Sequence, residues 1–229
     1  MALNSSKIKG GGSGVEQAVI PPGVYPARIV QVIDMGLQAQ RPYKGAEKKP
    51  ANEIMLTYEL VDCFMVDKDG KELEDKPRWV SETLPMYNVE YADKAKCTQR
   101  YKAVDATNAF GGDFSKLVDI PINVALVHNV QGEKTYVNIA SIAPMRAKDA
   151  DKCEALKNPA KVFDLDAPDV ELFNSLPDWI KDKIKGNLNF NGSALQAALN
   201  GKPAPVKEEK PVEAAPVEAA EVADDKPWD

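Results

Sequence analysis

Basic and aromatic side chains crowd into two stretches of this chain. Arg41, Tyr43, Lys44, Lys48 and Lys49 fall within "QAQRPYKGAEKKPAN", against a single acid, Glu47. Lys94, Lys96, Arg100 and Lys102 succeed one another with no acid between them, beside Tyr91 and Tyr101. Cations attract phosphates, and flat rings stack on bases without reading them. This combination of types suits a single nucleic-acid strand. Plain solvation also suits a lysine-rich loop, and the cations of the second stretch spread around a helix instead of forming one stripe. Tyr91, Tyr101, Trp79 and Phe64 read as core residues. Tyr136 lies opposite in phase to Val137 and Ile139, which points it outward. Arg28 interrupts an apolar alternation, so its face meets solvent or a polar ligand.

Residues for covalent or metal chemistry are sparse. His128 is the one histidine, and its place in "INVALVHNV" gives it a structural or surface role. There is no GxSxG, HExxH or Walker A pattern. "DKDGKE" lacks the ligand spacing of a calcium loop and reads as a hairpin turn. Cys63, Cys97 and Cys153 are far apart and odd in number, which supports neither a disulfide framework nor a zinc site. The expectation is a non-enzymatic protein with no catalytic residues, no cofactor and no metal. Scattered carboxylates leave a metal-dependent nuclease as an alternative.

These residues need elements to hold them. Residues 1–20, with "KIKGGGSG", read as a flexible arm. In "GVYPARIVQVIDMG" Tyr25, Ala27, Ile29 and Ile33 alternate with Val24, Arg28, Val30 and Val32, which predicts a strand. In "EIMLTYELVDCFMV" Ile54, Leu56, Tyr58 and Leu60 share one face, and Met55, Thr57 and Glu59 the other. "DKDGKEL" turns into a third strand, "PRWVSETL". "NVEYADKAKCTQRYKAVDATNAFGG" loses the alternation and predicts a helix of about five turns. "VDIPINVALVHNVQGEKTYVNIASIAP" gives two more strands, with Ile120, Ile122, Val124 and Leu126 facing Val137 and Ile139. Residues 143–167 read as irregular. "DVELFNSLPDWIKDKIKGNL" is helical, with Leu176, Ile180 and Ile184 as a stripe and Gly186 as its cap. "GSALQAALNG" adds a short helix capped by Ser193.

Five strands with a helix between the third and fourth is the order of the OB fold, a small Greek-key barrel. The expected organisation is therefore mainly β. An arm over residues 1–20 precedes an OB-fold domain over 21–145. A helical extension over 146–200 packs on the barrel, with a homodimer contact as an alternative use of its stripe. The central strands and the loop between strands one and two are where OB folds bind oligonucleotides. Arg41, Tyr43, Lys44, Lys48 and Lys49 lie in that loop.

Net charge is −6, and it is uneven. Residues 201–229 carry four lysines against eight acids. "KPAPVKEEKPVEAAPVEAAEVADD" has no aromatic or long aliphatic residue and should be disordered. Yet the chain closes on "DDKPWD", with Trp228 beside a proline and aspartates and nothing near it to build a core. No apolar run has the length of a membrane span, and the first residues lack the apolar stretch of a signal peptide, so the expectation is a cytoplasmic protein away from membranes.

The tip is similar to the acidic tail ending of the bacterial single-stranded DNA-binding proteins, Asp-Asp-x-Pro-Phe. Asp224, Asp225 and Pro227 fall on that pattern. Trp228 stands where the family has Phe, and Asp229 extends the chain by one residue. The body, through "GVYPARIVQV", "IPINVALVHNVQGEKTYVNIASIAP" and "LPDWIKDKIKGNL", resembles small phage-encoded proteins of this class. The resemblance implies a coating protein for single-stranded DNA in replication, recombination and repair, in the cytoplasm of a phage's host. Partner proteins would dock on Asp224, Asp225, Pro227, Trp228 and Asp229. Alternatives are a recombination mediator or annealing protein, and a virion or other interaction protein with a solubilising tail.

Overall fold

The computed structural model describes residues 17–42 and 44–201. Three long strands form an antiparallel meander: β1 (Gly23–Gln38), β2 (Ala51–Val66) and β3 (Glu72–Pro85). Helix α1 (Lys96–Val104) and a 3-10 turn (Phe114–Leu117) lead to a hairpin, β4 (Pro121–Gln131) and β5 (Lys134–Pro144). The chain continues through α2 (Ala147–Ala150), β6 (Lys161–Phe163), α3 (Val170–Ser175), α4 (Asp178–Lys185) and α5 (Ala194–Leu199). Among these, no helix is long and apolar enough to cross a membrane.

The strand order is β3-β2-β1-β4-β5, and β6 pairs in parallel with β1. β1 is the hub. Its first residues, Gly23–Arg28, pair with β4, and Gln31–Ile33 pair with β6. Mainly β is therefore right, but the expected closed five-stranded barrel is not what forms. The sheet has six strands and stays open, since no pairing joins β3 to β5. β6 falls in the stretch that reads as irregular, because a three-residue strand leaves no period to detect.

β1 also departs from simple alternation. An extra residue, Val30, sits between the pairs Ile29↔Tyr58 and Gln31↔Thr57. Such a bulge reverses the phase of the rest of the strand. Ala27 and Ile29 face one core with Val32, whereas Ile33 and Met35 turn to the other side. The predicted grouping of Ile33 with Tyr25, Ala27 and Ile29 is thus corrected. A second irregularity falls at Gly36, whose φ is +74°. A Cβ there would sit 2.8 Å from the Asn187 side chain, so both backbone and space require glycine.

Two cores result. The first holds Ile54, Leu56, Tyr58 and Leu60 of β2 with Ile122, Val124, Leu126 and Ile139, closed by Cys97 and Tyr101 of α1 and by Phe114. The second lies on the outer face of β1 and β2, where Ile33, Met35 and Met55 meet Phe163, Phe173, Leu176, Ile180 and Ile184. Each fully buried aliphatic or aromatic side chain contributes roughly 1.5–3 kcal/mol. The extension packs on the sheet through the predicted stripe.

Two helix expectations change. α1 covers Lys96–Val104 only, shorter than the stretch that loses its alternation. Asn88 Oδ1 accepts from the Glu90 N–H, and Asp105 accepts from the N–H groups of Ala109 and Phe110. Side chains that bond nearby backbone offer it an alternative to the helix. The later helix splits at Leu176, which stands before Pro177 with ψ 151°. Proline excludes its predecessor from the α region.

Candidate nucleic-acid interface

The predicted cations separate by burial. Arg100 is 3% exposed. Its Nε donates to Glu82 Oε1 at 2.6 Å and its Nη2 to Glu82 Oε2 at 3.1 Å. The same Nη2 donates to the Ile139 carbonyl at 3.1 Å. Arg100 therefore spans from β3 to β5 across the open seam, and Tyr58 Oη adds a bond to Glu82 at 3.0 Å. Desolvation by burial raises the Tyr58 phenol well above its ordinary value, and the Glu82 charge adds to this. Arg100 cannot meet a phosphate from there, which corrects its place among the surface cations. Lys96 stands beside it, 3.9 Å from Glu82. Lys102 pairs with Asp93 at 2.5 Å.

Arg28 is also committed. Its guanidinium donates to the carbonyls of Asp119, Cys153 and Glu154. Glu59, its cross-strand partner on β2, is fully buried. That carboxylate accepts from the Lys157 N–H at 2.6 Å, Asn158 Nδ2 at 2.7 Å and Trp79 Nε1 at 2.9 Å. Arg28 and Glu59 thus fasten the segment 153–158 across the outer face of β1 and β2. The polar ligand of Arg28 is the chain's own backbone. Trp79 is half-exposed on β3, not core as predicted, and its ring is fixed by Glu59.

Arg41, Lys44, Lys48 and Lys49 are exposed on the β1–β2 loop, and Tyr43 lies outside the described residues. The loop's root is held firmly. Gln40 Nε2 donates to Glu53 Oε1 at 2.8 Å, and Lys183 of α4 pairs with Glu53 at 2.5 Å. Glu53 pairs in register with Pro85, and the Met86 N–H donates to the Asn52 carbonyl. The segment after β3 therefore leaves the sheet at the same end as the basic loop.

That segment carries Tyr87, 51% exposed, and Tyr91, 83% exposed, with Lys94 next to them. The core expected around Tyr91 is absent and the ring is on the surface, whereas Tyr101 is buried as expected. Sequence reasoning missed Tyr87. A usable signal is present in "MYNVEYADK": two tyrosines four apart in a stretch broken by Asn and Asp, which favour turns over a regular element with a continuous core face.

Tyr136 is 46% exposed and points outward as predicted. It pairs with Asn129 in the β4–β5 hairpin, beyond Leu126, the last β4 residue to pair with β1. It therefore lies at the end of the sheet opposite the basic loop. His128 Nε2 lies 2.8 Å from the Ile20 carbonyl and ties down the chain before β1. Among the described residues, no three His, Cys, Asp or Glu side chains group as metal ligands would. Asp224, Asp225, Pro227, Trp228 and Asp229 lie outside the described residues. Neither a protein-family model nor a curated protein sequence matches the chain.

Proposed function

We propose that this protein binds single-stranded DNA without chemistry, coating and protecting it. The observation that carries this reading is the meeting of two features at one end of the sheet. The exposed cations of the β1–β2 loop and the exposed Tyr87 and Tyr91 leave the sheet side by side. Phosphates track the cations, and bases stack on the rings. The pinned Trp79 of β3 offers a further platform, and Tyr136 marks the far end of a path across the sheet.

The strand order supports an OB-type module, a partly open barrel unrolled at the seam between β3 and β5. Arg100 and Glu82 then do across that seam what a strand pairing does in a closed barrel. Residues Asp224–Asp229 are proposed as the contact for partner proteins of replication and recombination, an aromatic for a pocket with acids for its basic rim.

The deciding experiment titrates the full chain with oligo-dT and with duplex DNA at two salt concentrations, with intrinsic fluorescence as the signal. Salt-sensitive binding of the single strand, with little of the duplex, is expected. Equal binding of both, or of neither, refutes the reading.

A further inference from the structure

A cleft of about 410 Å³ opens between the turn at Met86–Glu90 and the turn at Gly111–Gly112. Its volume is at the lower end of small-ligand sites. Val89 and Phe114, both buried, line the cleft, but most of its exposed lining is polar. The rim is polar: Asn52, Asn88, Glu90 and Tyr87. Asn88 is occupied by the Glu90 N–H. No hydrogen bond within the described protein engages the Glu90 carboxylate or the Asn52 carboxamide.

The glycine wall is built for close approach. A Cβ on Gly112 would meet Val89 Cγ2 at 3.2 Å, and φ there is +84°. The Gly112 N–H donates to Tyr101 Oη at 2.9 Å, which fixes this wall to α1. At Gly111 a Cβ would meet nothing within 4 Å, so that face is open. A flat ring with hydrogen-bond donors along one edge suits a cleft whose exposed lining is mainly polar and carries an unengaged carboxylate. Asn52 begins where the basic loop returns to the sheet, which puts the cleft beside the proposed phosphate path.

We infer that this cleft receives one base of the bound strand and favours guanine over thymine. The inference rests on the single-strand reading above. Guanine's ring N–H and amino group offer two donors to the Glu90 carboxylate. Thymine sets carbonyl oxygens on both sides of its one N–H, and these repel a carboxylate. The Tyr87 ring at the rim stacks on the neighbouring base.

The test compares two oligonucleotides of about 12 residues, all thymine or thymine with one central guanine, at one salt concentration. The single guanine is expected to tighten binding of the wild-type chain by about fivefold. Glu90→Gln removes that gain. It also takes a negative charge from beside the phosphate path and so tightens the all-thymine strand, which makes the ratio of the two affinities, falling to about one, the readout. Glu90 is exposed, so the variant does not threaten the fold. Equal binding of the two strands by the wild-type chain overturns the inference while leaving the single-strand reading intact. So does a gain that survives Glu90→Gln. Failure to bind either strand refutes that reading, and the inference with it.

Discussion

The two basic stretches of this chain carry the same kind of charge and use it differently. Along the β1–β2 loop, Arg41, Lys44, Lys48 and Lys49 all face solvent. Around α1, Arg100 is buried against Glu82, Lys96 approaches the same acid, and Lys102 pairs with Asp93. Only Lys94 remains beside the exposed tyrosines. The difference lies in what the fold sets opposite each cation. Glu82 reaches α1 from β3, because that helix closes the first core, and Asp93 lies just before the helix. The loop leaves the sheet and keeps its cations exposed. A run of positive charge is therefore a surface feature only where the chain departs from its core.

Arg100→Ala separates the two regions most sharply. It strands the Glu82 carboxylate and should destabilise the fold by about 3–5 kcal/mol in urea unfolding. A loss below about 1 kcal/mol would break the comparison, since Arg100 would then be no more structural than a loop lysine.

Glu59→Ala comes next. Trp79 Nε1, the Lys157 N–H and Asn158 Nδ2 lose their acceptor together. A cost of about 2–3 kcal/mol is expected, with faster proteolysis within 153–158. Unchanged cleavage there would show that Arg28 alone fastens the segment.

The loop should behave in the reverse sense. Replacing Lys48 and Lys49 by Ala should leave stability within about 0.5 kcal/mol. Binding of oligo-dT should weaken, and the slope of log affinity against log salt should fall by about 0.7 for each lysine. An unchanged slope would place the phosphates elsewhere.

The smallest effect concerns pH. Burial pushes the Asp105 carboxyl up, but the N–H groups of Phe110 and Ala109 and the hydroxyls of Tyr101 and Thr107 outweigh it. They hold the group below its ordinary value of 3.8. A depressed folded value means that its contribution is complete above 3.8 and is lost as pH falls through the folded value. Hydrogen exchange at Ala109 and Phe110, corrected for intrinsic rates, should therefore lose protection on acidification below that range. Asp105→Asn should show the loss already at neutral pH. Protection that is flat down to about pH 2 would mean that the carboxylate does not organise the turn.

Much of the fold is legible in the sequence because it rests on local periods. Alternation places Ile54, Leu56, Tyr58 and Leu60 together, and the spacing of Leu176, Ile180 and Ile184 places one helical stripe. Both predicted groups are buried as sets. The Ser193 cap is legible for the same reason, since its hydroxyl accepts from Gln196 three residues on. Sequence misleads at any position where a partner arrives from far along the chain. Tyr91 looks like core because it is aromatic, yet it stands 83% exposed. Ile33 looks in phase with Ile29, but the bulge at Val30 reverses the strand between them.

The sequence by itself determined the order of the five long strands and the helical stretches among and after them, which residues are apolar in which rhythm, and where cations and aromatic rings concentrate. These come from side-chain chemistry and from periods of two and 3.6 residues. Tertiary structure alone decided that the sheet stays open between β3 and β5, that Arg28 and Arg100 are committed to the chain's own acceptors, and that the segment carrying Tyr87 and Tyr91 leaves the sheet at the same end as the basic loop. Each of these depends on contacts between residues widely separated in the chain, and such contacts leave no local period for a sequence to display.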